Sequence, residues 1–297
     1  MIKNLQVPTG IIIFILVLTG FSTYGQDQKI SNVFRIETRD GNGYTGEVVS
    51  RDSVKVVFRA EKLGQIEISQ SDIITILPLD TNQVKKGKYW FPNPQSSRYF
   101  FSPNGYGLKK GEGYYQNIWV LMNSFAVGLS NYVSIGGGLI PLFLFAGSPT
   151  PAWITAKISI PVVKDQFNLG AGILAGNALG ASNSDFGIFY GIATAGSRDR
   201  NISLGIGYGF SGGSVSSSPM INLNAMYRVG VHSYLLTENY LFTNGSESTL
   251  MIMFGGRQII HNAGLDYGLV VPAASGIGSF VAIPWLGITI PFGDKAR

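Results

Sequence analysis

The chain of 297 residues contains no cysteine and only two histidines. Without cysteine it can form no disulfide framework, no thiolate metal site, no thiol nucleophile and no lipoprotein anchor. Charged residues make up 13% of the sequence, about half of the roughly 25% found in an average soluble domain. No run reaches the ~18 consecutive apolar residues that a membrane-spanning helix requires. These absences exclude helical membrane proteins and disulfide-stabilised secreted domains.

Glycine is abundant where charge is scarce, with 39 residues in the chain, and 45% of the residues are hydrophobic. A chain that is apolar, glycine-rich and weakly charged, but has no spanning helix, indicates β structure in lipid or a very large β core. The net charge of +5 is scattered along the sequence, which argues against nucleic acid as a partner because such partners select clustered lysine and arginine.

The charges divide the chain into two parts of different character. Residues 26–112 carry 23 charged side chains, whereas the longer stretch 113–292 carries only 12. We therefore expect a soluble segment followed by a segment that is largely surrounded by lipid.

Residues 1–25 are predicted to be a signal peptide. Lys3 precedes a short apolar run, Gly10 to Phe21, and the small residues Thr23 and Gly25 suit the −3 and −1 positions of a cleavage site. Twelve apolar residues give only ~18 Å of helix against a hydrocarbon core of ~30 Å, so cleavage is favoured over membrane anchoring.

Residues 26–79 are predicted to form a small periplasmic β domain. Polar and apolar residues alternate in five short runs, with a turn signal at Asp40 to Gly43, as in an SH3-like or Sm-like small barrel. Its charges have both signs, which favours a solvated spacer over a docking module, although both roles stay open. RNA binding is disfavoured because an exported domain does not meet RNA.

Residues 80–113 are predicted to be a connector whose later part, 98–108, is a candidate first barrel strand. Three prolines, Pro92, Pro94 and Pro103, argue against a long helix or a central strand. The aromatic clusters at 89–91 and 99–101 are typical of the membrane–water boundary.

From residue 98 to 292 the chain repeats runs of about ten alternating residues separated by turns. In 202–210, isoleucine, leucine, tyrosine and phenylalanine share one face, and serine and glycine share the other. Apolar residues outside and small or polar residues inside are typical of outer-membrane barrels. The sequence thus predicts an all-β fold: a transmembrane, up-and-down antiparallel β-barrel of about twelve strands, preceded by the SH3-like domain and followed by a tail at 293–297.

The strand pattern also predicts a topology. Connections at 129–130, 163–165, 197–200, 230–231 and 259–261 are tight, while those at 109–113, 144–151, 178–183, 212–217, 244–247 and 272–277 are longer. Short turns face the periplasm and longer loops face outward in such barrels. Both ends of the barrel, and therefore the small domain, are expected on the periplasmic side.

The run Phe100 to Pro103 and the run Gly105 to Asn117 (GYGLKKGEGYYQN), followed by a glycine-rich barrel, carry a resemblance. They resemble a group of uncharacterised bacterial outer-membrane β-barrel proteins in which a small SH3-like module precedes the barrel. The resemblance implies a location in the outer membrane of a Gram-negative cell. It brings no known activity and no functional residues.

A few polar side chains within the predicted strands are expected to face the lumen, because a lipid-facing charge costs ~2–4 kcal/mol at the membrane midplane. Either they neutralise a filled lumen or they line an aqueous pore, and the sequence leaves both open. Glu238 fits least well, since Tyr234, Leu236 and Tyr240 share its face. The lumen-facing candidates are Lys157, Arg228, Glu238, Arg257, Asp266, Asn222 and Asn224.

A two-residue turn at His261 and Asn262 sets the register of the flanking strands. It pairs Ile260 with Ala263 and so places Arg257 directly opposite Asp266, within reach of a salt bridge.

No catalytic, cofactor or metal motif is present, and both histidines, His232 and His261, fall at predicted periplasmic turns. We therefore expect a non-enzymatic, porin-like protein that serves passive passage of small solutes, envelope structure or docking. The alternative is a lumen-plugged barrel with lipid-directed hydrolase or lipid-binding activity. The expected partners are outer-membrane lipids, the barrel-assembly machinery and a periplasmic or envelope protein.

Overall fold

The computed structural model describes residues 33–60, 63–79, 84–85, 88–244, 247–260, 262–274 and 281–293. The predicted signal peptide and the tail after Gly293 lie outside these residues. The chain divides into two compact units, Met1–Thr81 and Asn82–Arg297.

The first unit contains a five-stranded antiparallel sheet in the order β4-β3-β2-β1-β5. Ile36, Val56 and Phe58 are fully buried and form its core, as the period-two alternation of these strands requires. Its SH3-like classification stays a prediction. The strands are β1 (Val33–Thr38), β2 (Gly43–Arg51), β3 (Lys55–Ala60), β4 (Gly64–Ser69) and β5 (Ile73–Pro78), with a 3₁₀ turn at Gln70–Asp72 before β5.

The second unit contains a pair of antiparallel strands of two residues each, followed by a closed barrel of twelve antiparallel strands. The pair consists of β6 (Val84–Lys85) and β7 (Lys88–Tyr89). The barrel strands are β8 (Glu112–Ile118), β9 (Met122–Gly128), β10 (Val133–Leu139), β11 (Thr150–Val163), β12 (Phe167–Leu179), β13 (Phe186–Gly196), β14 (Arg200–Ser211), β16 (Met220–Arg228), β17 (Ser233–Asn244), β18 (Glu247–Ile260), β19 (Ala263–Ala274) and β20 (Ile283–Gly293), and the short β15 (Ser214–Val215) pairs with the end of β14.

Each barrel strand pairs with its neighbours in sequence, and β20 pairs with β8 to close the ring. The predicted up-and-down barrel is therefore confirmed. Closure matters because it leaves no strand edge unpaired, and an unpaired edge is not tolerated in lipid.

The predicted number of strands is right only because two errors cancel. The predicted strand 98–108 is wrong, since this segment does not join the barrel wall, which starts at Glu112. The predicted strand 114–128 is in fact two strands, β8 and β9, joined at residues 119–121. Trp119 and Val120 adopt left-handed φ values of 53° and 65° there. This conformation favours glycine or asparagine, and neither residue type stands at these positions, so the sequence gives no turn signal.

The barrel has two distinct ends. We call the end with the connections 129–132, 164–166, 197–199 and 229–232 the turn end, and the opposite end the loop end; β18 ends and β19 begins at the turn end. β8 begins and β20 ends at the turn end. The prediction that 109–113 joins the outward loops is wrong, since Gly111 N–H donates to the Gly128 carbonyl, at 3.0 Å, at the turn end. A short helix, α1 (Pro141–Phe145), lies at the loop end.

The outward face of the wall is apolar. On β14, Ile202, Leu204 and Ile206 are about half exposed, while the intervening Ser203 is fully buried inside. The same alternation holds on β20, where Leu286 and Ile288 are exposed and Thr289 is buried. A closed barrel with such an exterior is suited to lipid. None of the helices in the described part of the chain is long and apolar enough to cross a membrane.

Closure between the first and the last strand can be tested by cross-linking, since the chain has no cysteine of its own. Tyr115 on β8 lies directly opposite Ile290 on β20. We expect the pair Tyr115→Cys and Ile290→Cys to form an intramolecular disulfide on oxidation, because the Cα atoms of directly opposed residues lie ~4.5–5.5 Å apart, within the ~4.4–6.8 Å that a disulfide spans. The bond would be detected as faster migration of the denatured protein on a non-reducing gel.

The control combines Tyr115→Cys with Ile288→Cys, because Ile288 faces Asn117 instead. Efficient cross-linking of the control, or none in the test pair, would contradict this register.

Candidate functional site in the barrel lumen

The connector between the two units fills part of the barrel. Residues 90–108, which we call the plug, lie in the lumen, where Tyr99, Phe100 and Asn104 have no exposed surface. The plug enters and leaves at the turn end: the Phe91 carbonyl accepts from Arg228 at 2.8 Å, and Leu108 N–H donates to Ser134 Oγ at 3.3 Å. The placement of 99–101 at the membrane–water boundary is therefore wrong for Tyr99 and Phe100.

Arg257 and Asp266 form the most buried ion pair of the described residues, with neither side chain exposed. They lie directly opposite each other on β18 and β19, so the predicted register is confirmed. Arg257 Nε donates to Asp266 Oδ1 at 2.6 Å, and Nη2 donates to Oδ2 at 2.8 Å. This two-point geometry is the strongest form of an arginine–carboxylate contact.

Arg257 also holds the plug. Its Nη1 donates to Asn93 Oδ1 at 3.0 Å and to the Gln95 carbonyl at 2.8 Å. Its Nη2 donates to Gln95 Oε1 at 3.0 Å and to the Tyr99 carbonyl at 2.7 Å. All three guanidinium nitrogens are therefore engaged, with two hydrogen bonds to the wall and four to the plug.

Glu238 on β17 binds the tip of the plug through its backbone. One carboxylate oxygen, Oε2, accepts the N–H groups of Phe100, Phe101 and Ser102 at 2.9, 3.0 and 3.0 Å. The other oxygen accepts the Tyr240 hydroxyl. A buried carboxylate is tolerated when its lone pairs are met in this way. The neighbours that made an inward Glu238 doubtful are themselves buried, because the plug supplies an apolar surface for them to pack on.

Lys157 on β11 contacts the plug through backbone carbonyls. Its Nζ donates to Asn104 O at 2.8 Å, to Tyr106 O at 2.6 Å and to Ser97 O at 3.4 Å. The three carbonyls match the three N–H donors of the ammonium group. Lys157 therefore binds the backbone of the plug, and none of these three partners is a carboxylate.

Arg228, at the turn end of β16, ties the entry of the plug to two turns. It pairs with Asp199 at 3.2 Å and donates to the carbonyls of Phe91 and Val231. Its guanidinium also lies 4.7 Å from the ring centroid of Trp90. Such stacking is a favourable use of arginine next to an aromatic ring.

The uncharged candidates contact the same plug. Asn222 and Asn224 both donate from Nδ2 to Ser102 Oγ, at 2.9 and 3.2 Å. All seven residues predicted to face the lumen are therefore buried inside the barrel, and six of them hydrogen-bond to residues 90–108, while Asp266 acts through Arg257.

The plug's own contact residues were missed by sequence reasoning. Tyr99 places its hydroxyl 2.6 Å from both Asn201 Oδ1 and Ser203 Oγ, and Gln95 accepts from Arg257 and from Thr289. The sequence did contain a clue: charges buried on the wall need hydrogen-bonding partners, and the polar residues 93–97 of the connector could supply them. Nothing in the spacing, however, says which residue meets which.

Glycines in the wall let other groups approach. A Cβ at Gly170 would lie 3.4 Å from the plug's Gly105 Cα, so the two chains run in contact. At Gly172 a Cβ would lie 2.5 Å from the Tyr190 hydroxyl oxygen, so an aromatic ring covers that strand. The glycine-rich wall thus accommodates the plug in one place and inward aromatic rings in another.

No metal centre is visible in the described ranges. No group of three or more His, Asp or Glu side chains in them could hold a metal ion. The His232 ring lies 4.6 Å from the Phe91 ring at the turn end, and His261 lies outside the described residues.

No protein-family model matches the chain, and no curated protein matches it. Among solved structures, the chain is similar to Pseudomonas aeruginosa OpdQ, at 8% identity and a TM-score of 0.35, over 88% of this chain and 95% of that chain. A likeness this distant carries no conclusion about activity. The class of protein, a transmembrane β-barrel, follows from the chain's own closed sheet and apolar exterior, and its function has to be inferred from the lumen.

The pair Arg257 and Asp266 offers a direct test of the filled lumen. We expect Arg257→Ala and Asp266→Ala each to lower the free energy of unfolding in detergent by ~3–5 kcal/mol, because each leaves an unpaired buried charge. The double variant should lose less than the sum of the two, as measured by denaturant titration. Strictly additive losses would show that the two side chains do not interact in the folded protein.

Proposed function

We propose that this protein is a self-plugged outer-membrane β-barrel that is closed to solutes at rest and carries its N-terminal β domain in the periplasm as a docking module. The observation that carries the proposal is the plug itself, held in the lumen by Arg257, Glu238, Lys157 and Arg228. A non-enzymatic role in envelope structure accords with this arrangement.

The lumen's charges support closure over conduction. A conducting pore keeps charged side chains facing water, where they attract or repel ions. Here one oxygen of Glu238 accepts three N–H groups of the plug. All the described hydrogen-bond partners of Lys157 are carbonyls of the plug. Charges that are committed to the plug are not available to guide solutes.

Gated passive passage is a second candidate, and the width of the barrel favours it. An eight-stranded barrel is just filled by its own side chains, whereas barrels of sixteen or more strands leave an open channel. Twelve strands lie between, so the lumen holds an extra segment of chain and would leave a passage if that segment withdrew. The plug enters and leaves at one end, which makes withdrawal geometrically simple.

Planar-bilayer recording distinguishes a closed barrel from an open one. We expect no ion-conducting steps from the parent protein, because the plug blocks the lumen. Replacing residues 92–107 by a glycine–serine linker of equal length should produce steady steps. The double variant Glu238→Ala and Lys157→Ala should give intermittent steps, since the plug loses its backbone contacts.

The control is Arg200→Ala, whose guanidinium stacks on the outward Tyr227 ring and leaves the plug untouched. Steady conductance in the parent protein would contradict closure, and a silent linker variant would show that residues 90–108 are not what closes the lumen. Heat-modifiable gel mobility checks that each variant is folded.

The orientation can be tested with epitope tags. We expect a tag at Ser148 or Ser214, at the loop end, to be reached by antibody on intact cells, and a tag at Lys164, at the turn end, only after the outer membrane is permeabilised. The tag avoids Asp199, another turn-end residue, because its carboxylate accepts hydrogen bonds from Arg228 and Tyr234 and a tag there would disturb them. The reverse labelling would place the N-terminal module outside the cell.

A further inference from the structure

The lumen contains a second compartment above the plug, at the loop end. It is a cavity of about 740 Å³, and its lining includes Phe101 from the plug tip and Met122 from the start of β9. A volume of this size lies within the ~300–1,000 Å³ range of sites that hold a small ligand. Its walls come from β11 to β14, with Trp153, Leu174, Phe186 and Ile188 among them.

The lining of this cavity is apolar. Among the described residues that line it, the polar side chains are those of Ser211, Ser214 and Ser216, and none is charged. A cavity of this kind cannot replace the hydration of an ion or a sugar, because unpaired polar groups are costly to bury. Hydrocarbon is the chemistry that it suits.

The apolar lining is built by aromatic rings that lie over glycines. A Cβ at Gly138 would meet the Trp153 ring at 2.4 Å, and one at Gly176 would meet the Phe186 ring at 2.5 Å. At these inward positions large rings stand beside glycines of the neighbouring strand. The buried charges of the wall lie beside the plug, whereas the lining of the loop-end cavity is apolar.

The wall is low on one side of this cavity. Strands β8, β9 and β10 have seven residues each, whereas β11 and β12 have fourteen and thirteen. At a rise of ~3.3 Å per residue and a tilt of ~40°, seven residues reach only ~18 Å, less than the ~25 Å apolar band of such barrels. The rim at residues 119–121 is thus expected to lie at the depth of lipid hydrocarbon.

The low rim is apolar and exposed. Val120 is 80% exposed, with Trp119 and Leu121 beside it, and Phe145 of the nearby helix α1 is 84% exposed. The left-handed backbone at Trp119 and Val120 is strained for such bulky residues, and strain of this kind is often retained where a site needs it. The residues just past this rim and just before α1, Met122 and Ile140, line the cavity.

We propose that the loop-end cavity binds a hydrocarbon chain of a lipid from the surrounding bilayer, which enters over the low rim formed by residues 119–122 and 140. The rim brings hydrocarbon to the cavity mouth, and the lining offers it an apolar site. The bound chain would contact Phe101, whose backbone N–H is held by Glu238, so occupancy would be felt at the plug tip. The proposal requires a barrel embedded in lipid, but it does not depend on whether the plug ever opens.

Tryptophan quenching can detect the lipid chain. A reporter that retains only Trp153, with Trp90, Trp119 and Trp285 changed to phenylalanine, is placed in phosphatidylcholine vesicles whose acyl chains are brominated. A second reporter retains only Trp285, which is also buried inside the barrel but does not line the cavity. The Trp285 ring lies 5.0 Å from the ring of the rim residue Trp119. Quenching of Trp285 therefore gives the baseline from lipid outside the cavity, and we expect stronger quenching of Trp153.

Two variants of β12 locate the effect. Leu174→Asp places a carboxylate in the cavity and should reduce Trp153 quenching to the Trp285 baseline. Leu179→Asp makes the same change on the outer face of the same strand, where Leu179 is 59% exposed, and should leave the quenching intact.

Equal quenching of the two reporters in the parent background would overturn the proposal without either variant. A brominated free fatty acid added to the protein in detergent forms the second arm. Quenching by this acid, with only baseline quenching by brominated bilayers, would overturn entry from the membrane and indicate an aqueous route. Heat-modifiable mobility confirms that every protein compared is folded.

Discussion

Arg257 makes the contacts on which the packing of the plug in the lumen depends. Its guanidinium joins Asp266 on the neighbouring strand to three residues of the plug, and it has no exposed surface. A charge buried this deeply is tolerated only when every donor is satisfied, and here wall and plug each supply part of the partners. Neither could hold the arginine alone, so the barrel and its plug stabilise each other.

The same requirement explains the other buried charges. Lys157 has backbone carbonyls as partners and Glu238 has backbone N–H groups, so both charges are met by the main chain of the plug. Main-chain partners constrain the shape of the plug more than its side chains. We infer that the path of residues 97–106 is set by these two wall residues, and that the aromatic residues between them fill the remaining space.

The two halves of the lumen differ in what fills and lines them. The plug-filled half holds the buried charges together with apolar side chains such as Met226 and Leu236, and its occupation supports the proposed closure. The lining of the loop-end cavity is apolar. The plug tip at Phe101 is shared by both halves. The proposed closure of the pore and the proposed binding of a lipid chain are therefore separate, and they meet at one residue.

On most strands the sequence by itself determined which side chains face inward and how neighbouring strands pair. The exception is β13, where the apolar residues Phe186, Ile188 and Ile192 were expected to face lipid and instead face the lumen. Alternation with a period of two separates the faces, the cost of charge in lipid turns Lys157 and Arg257 inward, and a two-residue turn sets Arg257 against Asp266. These are local rules, and they need only the residues of one hairpin. Only the tertiary structure decided that 98–108 leaves the wall and fills the lumen, because its partners Glu238 and Lys157 are distant in sequence. The turn at Trp119 and Val120 was hidden for a related reason: its strained backbone is imposed by the surrounding barrel and not favoured by its own residues.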